Sequence, residues 1–226
     1  MSLYYKKNFF AAHKKKYDYY SDEDMIDICN NLPPFDYRYR LLDLACGSGI
    51  MGEYLYSRFP KLKIIGVDNC YHLLKFSEID VCQSDACFLP FKNESFNCII
   101  AVAAFHHFDH LDLAVKECSR CLKSKGILLC VEPNKYHPQR LIMMTDPLRN
   151  VFYKNGDHAI SSRQFKKLLI NNKFVNIHIE YMAFKGKKSS FLSQLNDNIA
   201  DFFIKRNQIG ILQFIAPWFK IIAIKR

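Results

Sequence analysis

Three carboxylates and two glycines carry the chemistry this sequence can do. Asp43 closes the apolar run LLDL, and the turn CGSG follows almost at once. Gly47 and Gly49 take side chains out of that turn, so its backbone can approach a ligand closely. A helix opening near Ile50 would point its first N–H groups at the same place. Asp43 itself can fix the loop or meet an ammonium group. Asp68 stands 25 residues on, at the end of the run IIGVD, where an acid accepts the two hydroxyls of a ribose. Asp85, in QSDACFLPF, can accept from an adenine amino group, with Phe88, Leu89, Pro90 and Phe91 as an apolar wall for the base. Each residue alone has a plainer role: Gly49 as a turn, Asp68 as a helix N-cap, Asp85 as a loop acid. Their recurrence at successive strand ends points to a nucleotide-like cofactor.

The elements that must position them alternate along the chain. Strands are expected at Leu41–Leu44, Leu62–Val67, Asp80–Ser84, Phe96–Ala103 and Ile127–Glu132. Helices are expected at Met25–Asn30 behind a Ser21 cap, and at Ile50–Phe59, Tyr71–Phe76 and Leu111–Leu122. Lys123–Gly126 reads as a turn and Asn31–Tyr39, with Pro33 and Pro34, as a connector. Such alternation implies a doubly wound, mostly parallel sheet with helices on both faces. After Pro133 the texture becomes polar-aromatic. A helix capped by Ser161 or Ser162 reaches Asn171, and Phe191–Arg206 reads as another. Strands Phe174–Phe184 and Trp218–Ile224 pair as an antiparallel edge. One domain, 1–226, accounts for the whole: a cap or lid segment 1–40, a cofactor core 41–134, and a substrate-side segment with edge strands 135–226.

Composition narrows the class. The chain is 50% apolar and 24% charged, which sets it apart from disordered sequences. Its longest apolar stretch, Ile211–Ile224, is broken by Pro217 and Lys220 and is too short to span a bilayer. The N-terminus has no apolar core segment, so no secretory signal is expected. The nine cysteines sit mostly in apolar runs, as small buried hydrophobes do. Cys118 and Cys121 form a CxxC with no second pair at zinc spacing, so no metal is expected. Reduced thiols imply a cytoplasmic location. The net charge of +10 is uneven: residues 1–134 hold 16 Lys+Arg against 17 Asp+Glu, residues 135–226 hold 16 against 5. The basic end suggests an anionic partner such as RNA, a phosphorylated substrate or an acidic membrane face, or else a solvated surface.

The motifs resemble those of class I S-adenosylmethionine-dependent methyltransferases of the type 11 group. DLACGSG is similar to that family's glycine motif, with Ala45 where a first glycine is frequent. IIGVD matches its acidic second strand, SDACFLPFKNESFNCII its adenine-binding stretch with Asn97 for the usual Asp, AVAAFHHF its fourth-strand tip, and LKSKGILLCVEPN its fifth strand. The resemblance covers about Leu41–Asn134. It implies a seven-stranded Rossmann-like sheet and S-adenosyl-L-methionine as cofactor, held by Asp43, Ala45, Gly47, Gly49, Asp68, Asn69, Asp85, Ala86 and Ala103.

By the same resemblance the protein must align an acceptor in line with the cofactor's methyl group, with a base where the acceptor carries a proton. His106 and His107 are the candidate catalytic residues. Glu132, Tyr136, His137 and Arg140, beyond the fifth strand, are candidates for the acceptor side. Met143, Met144, Arg149, Tyr153 and His158 continue that segment. No NPPY-like run stands at the fourth strand, and no Pro-Cys pair, against methylation of adenine or glutamine amides and of cytosine C5. A small-molecule or lipid-like acceptor is the leading expectation. Alternatives are a tRNA acceptor bound by the basic C-terminal part, and a cofactor-binding partner subunit without transfer activity. A nicotinamide cofactor fits less well, because LACGSG lacks GxGxxG spacing. Ile209–Ile224 is expected to be an edge strand or a membrane-touching surface.

Overall fold

Alternating apolar residues build the sheet from its centre outward. In β1 (Arg40–Leu44), Leu42 and Leu44 face one layer and Leu41 the other. In β4 (Phe96–Val102), Ile99 and Ala101 share the first layer while Cys98 and Ile100 share the second. Residues buried on both faces are what a covered parallel sheet requires. The computed structural model describes residues 22–30, 32, 38–144, 159–183 and 214–226. The expected Ser21 cap, residues 1–21 of the 1–40 cap or lid segment, most of the Asn31–Tyr39 connector and the Phe191–Arg206 helix lie outside them.

Seven strands stand in the order β3-β2-β1-β4-β5-β7-β6. They comprise β1, β2 (Lys63–Asp68), β3 (Asp80–Gln83), β4, β5 (Leu122–Pro133), β6 (Phe174–Met182) and β7 (Trp218–Lys225). The first five run parallel, and β7 runs antiparallel to both β5 and β6. On one face lie α4 (Leu111–Cys121) and α6 (Ser162–Asn171), which bring Ala114, Val115, Cys118, Phe165 and Leu169 to the core. On the other lie α1 (Asp22–Cys29) and α2 (Ile50–Arg58), with Met25, Ile28, Met51 and Leu55. Short α3 (Tyr71–Leu74) and α5 (Pro138–Met143) follow β2 and β5. Ser161 caps α6, its hydroxyl accepting from Gln164 N.

Two expectations change. The turn at Lys123–Gly126 lies inside β5: Phe96 pairs with Leu122, yet Cys98 pairs with Ile127, so four residues bulge opposite Asn97 alone. Lys125 takes φ 62 there, and a Cβ on Gly126 would come within 2.8 Å of Lys123 O. Asn97 Oδ1 holds the bulge by accepting from Arg40 N at 3.1 Å and Lys123 Nζ at 3.2 Å. Of the stretch Ile209–Ile224, expected as an edge strand or a membrane-touching surface, the part Trp218–Ile224 is an inner strand, because β7 is hydrogen-bonded on both sides and buries Phe219, Ile221 and Ala223 completely. The edge strand is β6, which stops at Met182. The CxxC pair, Cys118 and Cys121, is buried under α4, and all nine cysteines are free thiols.

Candidate functional site

The loop after β1 is shaped by positive φ. Ala45, Gly47 and Gly49 have φ of 55, 55 and 85. At Ala45 this conformation costs about 1 kcal/mol, so the surrounding bonds must hold it. They do: Gly47 N donates to Asp68 Oδ2 at 2.9 Å, and Gly52 N donates to Asp43 Oδ2 at 3.0 Å. Gly52 admits Asp43 because a Cβ there would lie 2.3 Å from Ile79 and 3.2 Å from that carboxylate oxygen. Asp43 is buried, which pushes its carboxyl up to about 7. The Gly52 bond opposes that rise and the nearby Asp68 charge adds to it. Of the two roles open to Asp43, loop fixing is the one its geometry serves.

Asp68 caps β2 at the same edge. Its Oδ1 accepts from Cys70 N at 2.7 Å. Burial raises its carboxyl above the usual range, against the two backbone bonds and the pull of His107. Each oxygen holds one N–H and keeps a second lone-pair direction for a further donor. Asn69 beside it is exposed, and its carbonyl accepts from Gln83 Nε2. Asp85 is exposed after β3, with Oδ1 taking Cys87 N at 2.8 Å, and Ala86 is buried. The expected apolar wall is different: Leu89 is buried in the core, Phe91 stacks edge-on against Phe96, and Phe88 is 72% exposed.

An arginine clamp that the motifs do not advertise holds the Asp85 loop. Arg120, on α4, donates to the carbonyls of Leu89 at 2.9 Å and Phe91 at 2.6 Å, and grips Glu117 with two nitrogens at 2.7 Å. Glu117 in turn accepts from Leu89 N, and the arginine holds its carboxyl below the usual range. The i, i+3 spacing of Glu117 and Arg120, both half-buried on α4, is the signal the sequence offers.

Beyond β4 the chain turns at Ala103 (φ 54) into a 3₁₀ turn, Phe105–His107, wrapped round one buried carboxylate. Glu132, at the end of β5 and wholly buried, accepts from Ala104 N at 3.0 Å, Phe105 N at 2.8 Å and His106 N at 3.3 Å. Its Oε2 also meets His106 Nδ1 at 2.7 Å. Since three N–H groups already point at this carboxyl, the ring Nδ1 is the donor and Nε2 is left as the basic atom of the neutral imidazole. Glu132 is thereby enclosed by the β4 turn and holds the His106 ring. The parallel pairing of Val102 with Val131 dictates this neighbourhood. His107 is exposed, with its ring centroid 3.9 Å from that of His106.

Past β5, Asn134 ties the chain to the segment before β7, donating to the carbonyls of Pro217 and Ala216, both at 2.8 Å. His137 is buried at the start of α5, and burial, then Arg140, lowers its imidazole. The Arg140 guanidinium sits 6.0 Å from the Trp218 ring centre, and Tyr136 packs 6.1 Å from Phe214. Arg149, Tyr153, His158 and the Met143 side chain lie outside the described residues. Part of the basic excess is internal: buried Lys220 donates to Asp27 O at 2.7 Å and meets Glu180 at 2.8 Å, and Lys225 donates to Leu122 O at 2.5 Å. Among the described residues no group of three or more His, Cys, Asp or Glu is arranged for a metal, and no helix is long and apolar enough to cross a membrane.

Comparison with known proteins agrees with this geometry. Residues 42–130 match the family model of a methyltransferase domain, that of the type 11 group. A demethylmenaquinone methyltransferase of Thermotoga maritima is 34% identical over 98 residues, 41% of this chain and 43% of that protein. A malonyl-acyl-carrier-protein O-methyltransferase of Methylococcus capsulatus is 31% identical over 97 residues, 39% of this chain and 35% of that protein. The chain thus spans less than half the length of these curated relatives. A SAM-dependent methyltransferase structure from Archaeoglobus fulgidus has a TM-score of 0.69 at 21% identity, covering 97% of this chain and 100% of that one. That likeness identifies the sheet as the Rossmann-like methyltransferase fold.

Proposed function

We propose, from the match of residues 42–130 to the methyltransferase domain model of the type 11 group, that this chain binds S-adenosylmethionine and transfers its methyl group to a small or lipid-like acceptor. We take 1–226 as one domain, with 41–134 binding the cofactor and 135–226 on the acceptor side. The observation that supports this reading is one edge of the sheet. There Asp43 and Asp68 stand in the last two residues of β1 and β2 and Asp85 follows β3, beside the Glu132-held imidazole at the ends of β4 and β5.

The donor set fits the cofactor. Asp68, whose two oxygens each hold one N–H, is the proposed acceptor for a vicinal diol, and Asp85, whose Oδ1 holds Cys87 N, the proposed acceptor for an exocyclic amine. Ala45, Gly47 and Gly49 turn the backbone toward the ligand, and Ala103 opens the β4 end. When bound, the cofactor supplies an electrophilic methyl group on a sulfonium. His106 Nε2 takes the proton of an oxygen or nitrogen acceptor as its lone pair attacks, while Glu132 holds the ring's other nitrogen and stabilises the charge that arrives. His107 packs against that ring, the two centroids 3.9 Å apart. Tyr136, His137 and Arg140 line the acceptor side, Arg140 preferring an anionic group.

The relatives named above act on a quinone and on a carrier-bound malonyl group, which supports acceptors that are small or lipid-like. Nine free thiols support a cytoplasmic location. The test is release of S-adenosylhomocysteine on incubation with metabolite and lipid extracts or with tRNA. Turnover in the extracts alone supports the proposal. Turnover with tRNA alone overturns the acceptor class, and tight cofactor binding with no turnover in any pool overturns the transfer activity.

A further inference from the structure

We propose that the rim beyond the carboxyl end of β5 is a docking face for an anionic phospholipid surface, so that the protein meets its acceptor at a membrane. Three stretches far apart in sequence converge there. Lys135 N donates to Ile160 O at 3.1 Å, Asn134 joins Ala216 and Pro217, and Pro133 pairs with Trp218. On this rim Tyr136 is 37% exposed, Leu141 45%, Ile142 60% and Phe214 53%. Large apolar side chains in such company mark an interaction site rather than scattered surface residues. Among the described residues of these three stretches the charge has one sign. Residues 133–144, 159–164 and 214–219 contain Lys135, Arg140 and Arg163 and no Asp or Glu. Arg163 is exposed, and Arg140 lies over the Trp218 ring, an arrangement in which an aromatic and a cation share an interface.

A protein partner of ordinary composition would want both signs across the contact. A nucleic acid would want cations spaced for phosphates, without exposed Leu141 and Ile142 between them. An acidic bilayer answers both features: the apolar residues enter the headgroup boundary and the cations meet the lipid charge. The Glu132-held His106 is at the same edge of the sheet, so an acceptor dissolved in the bilayer would reach the site without crossing water. The inference rests on the proposed function only for that last step, because lipid binding itself needs neither cofactor nor turnover.

The experiment is co-sedimentation of the full chain with vesicles of phosphatidylcholine alone and of phosphatidylcholine with phosphatidylglycerol, at low and high salt. The expected result is binding to the anionic vesicles, weakened by salt. Leu141→Ser with Ile142→Ser should reduce it roughly tenfold or more. Lys135→Gln with Arg163→Gln should reduce it at low salt and remove most of the salt dependence. Far-ultraviolet circular dichroism and S-adenosylmethionine affinity, unchanged in both variants, separate a lost surface from a lost fold. Failure of the unaltered chain to sediment with anionic vesicles overturns the proposal, as does equal binding by the Leu141/Ile142 variant. A salt-sensitive gel shift with tRNA in the absence of vesicle binding would assign the rim to RNA instead.

Discussion

At the scale of residues, the site is a set of carboxylates doing unlike work, and their surroundings tell them apart. Asp43 ionises near 3.8 in an unfolded chain and near 7 in the folded one. Folding therefore favours its protonated form. That contribution to stability is complete below about pH 4 and is lost as pH rises to about 7. Asp43→Asn keeps an acceptor for Gly52 N and cannot ionise. Its stability relative to the parent, from denaturant unfolding, should climb by a few kcal/mol between these pH values and then level off. A difference that stays flat with pH would mean that burial does not control this group. Glu132 is a carboxylate of another kind, visible in the sequence only as the acid that ends ILLCVEP. Its four partners lie 26 to 28 residues away, and only the register of β4 on β5 brings them to it. Local patterns therefore suggested a substrate contact where the fold builds an enclosed support. Glu132→Gln should leave cofactor affinity within a few-fold. It should lower turnover by roughly 100-fold or more, and shift the His106 tautomer seen in nitrogen-15 spectra, since an amide presents a donor where only acceptors fit. An unchanged tautomer with full turnover would remove His106 from the mechanism.

At the scale of elements, most of the fold was legible. The first five strands and the helices between them come from apolar runs of fixed period, and such runs read the same in isolation as in the sheet. What local pattern could not supply was relation. The bulge in β5 depends on Asn97 of β4 facing four residues, and the insertion of β7 between β5 and β6 is settled by pairing rather than by composition. The Arg120 clamp is of the same sort, since its carbonyl partners at Leu89 and Phe91 lie on another element. Arg120→Lys keeps the charge and loses the planar fork. It should weaken S-adenosylmethionine binding by roughly 3- to 10-fold in calorimetry, with the melting temperature little changed because the side chain is partly exposed. Loss of affinity only on Arg120→Ala, and none on Arg120→Lys, would reduce the clamp to simple charge. Lys220 fastens α1 to the sheet through Asp27 O. Lys220→Met should change global stability by no more than about 2 kcal/mol, since the Glu180 carboxylate left behind is 44% exposed and regains water. Hydrogen exchange in α1 should nonetheless accelerate selectively.

At the scale of the whole molecule, polar function gathers on one edge of a sheet whose two faces are given to burial. Parallel strands deliver their carboxyl ends to a common side, so motifs spread over Asp43 to Glu132 in sequence become one site. The charge asymmetry was equally plain in the sequence, but its meaning was not. Lys220 and Lys225 serve packing and pairing inside the fold, while Arg163, Lys166 and Lys167 of α6 face outward. Composition counts a buried and an exposed lysine alike. The edge formed by β1, β2 and β4 is proposed to hold S-adenosylmethionine, and calorimetric titration of the parent chain and of Asp68→Ala is the test. The parent should bind S-adenosylmethionine at micromolar concentration and leave NAD unbound. Asp68→Ala should lose roughly 100-fold, because ribose hydroxyls and the Gly47 amide lose their acceptor together. Equal binding by the two proteins, or binding of NAD in place of S-adenosylmethionine, would contradict it.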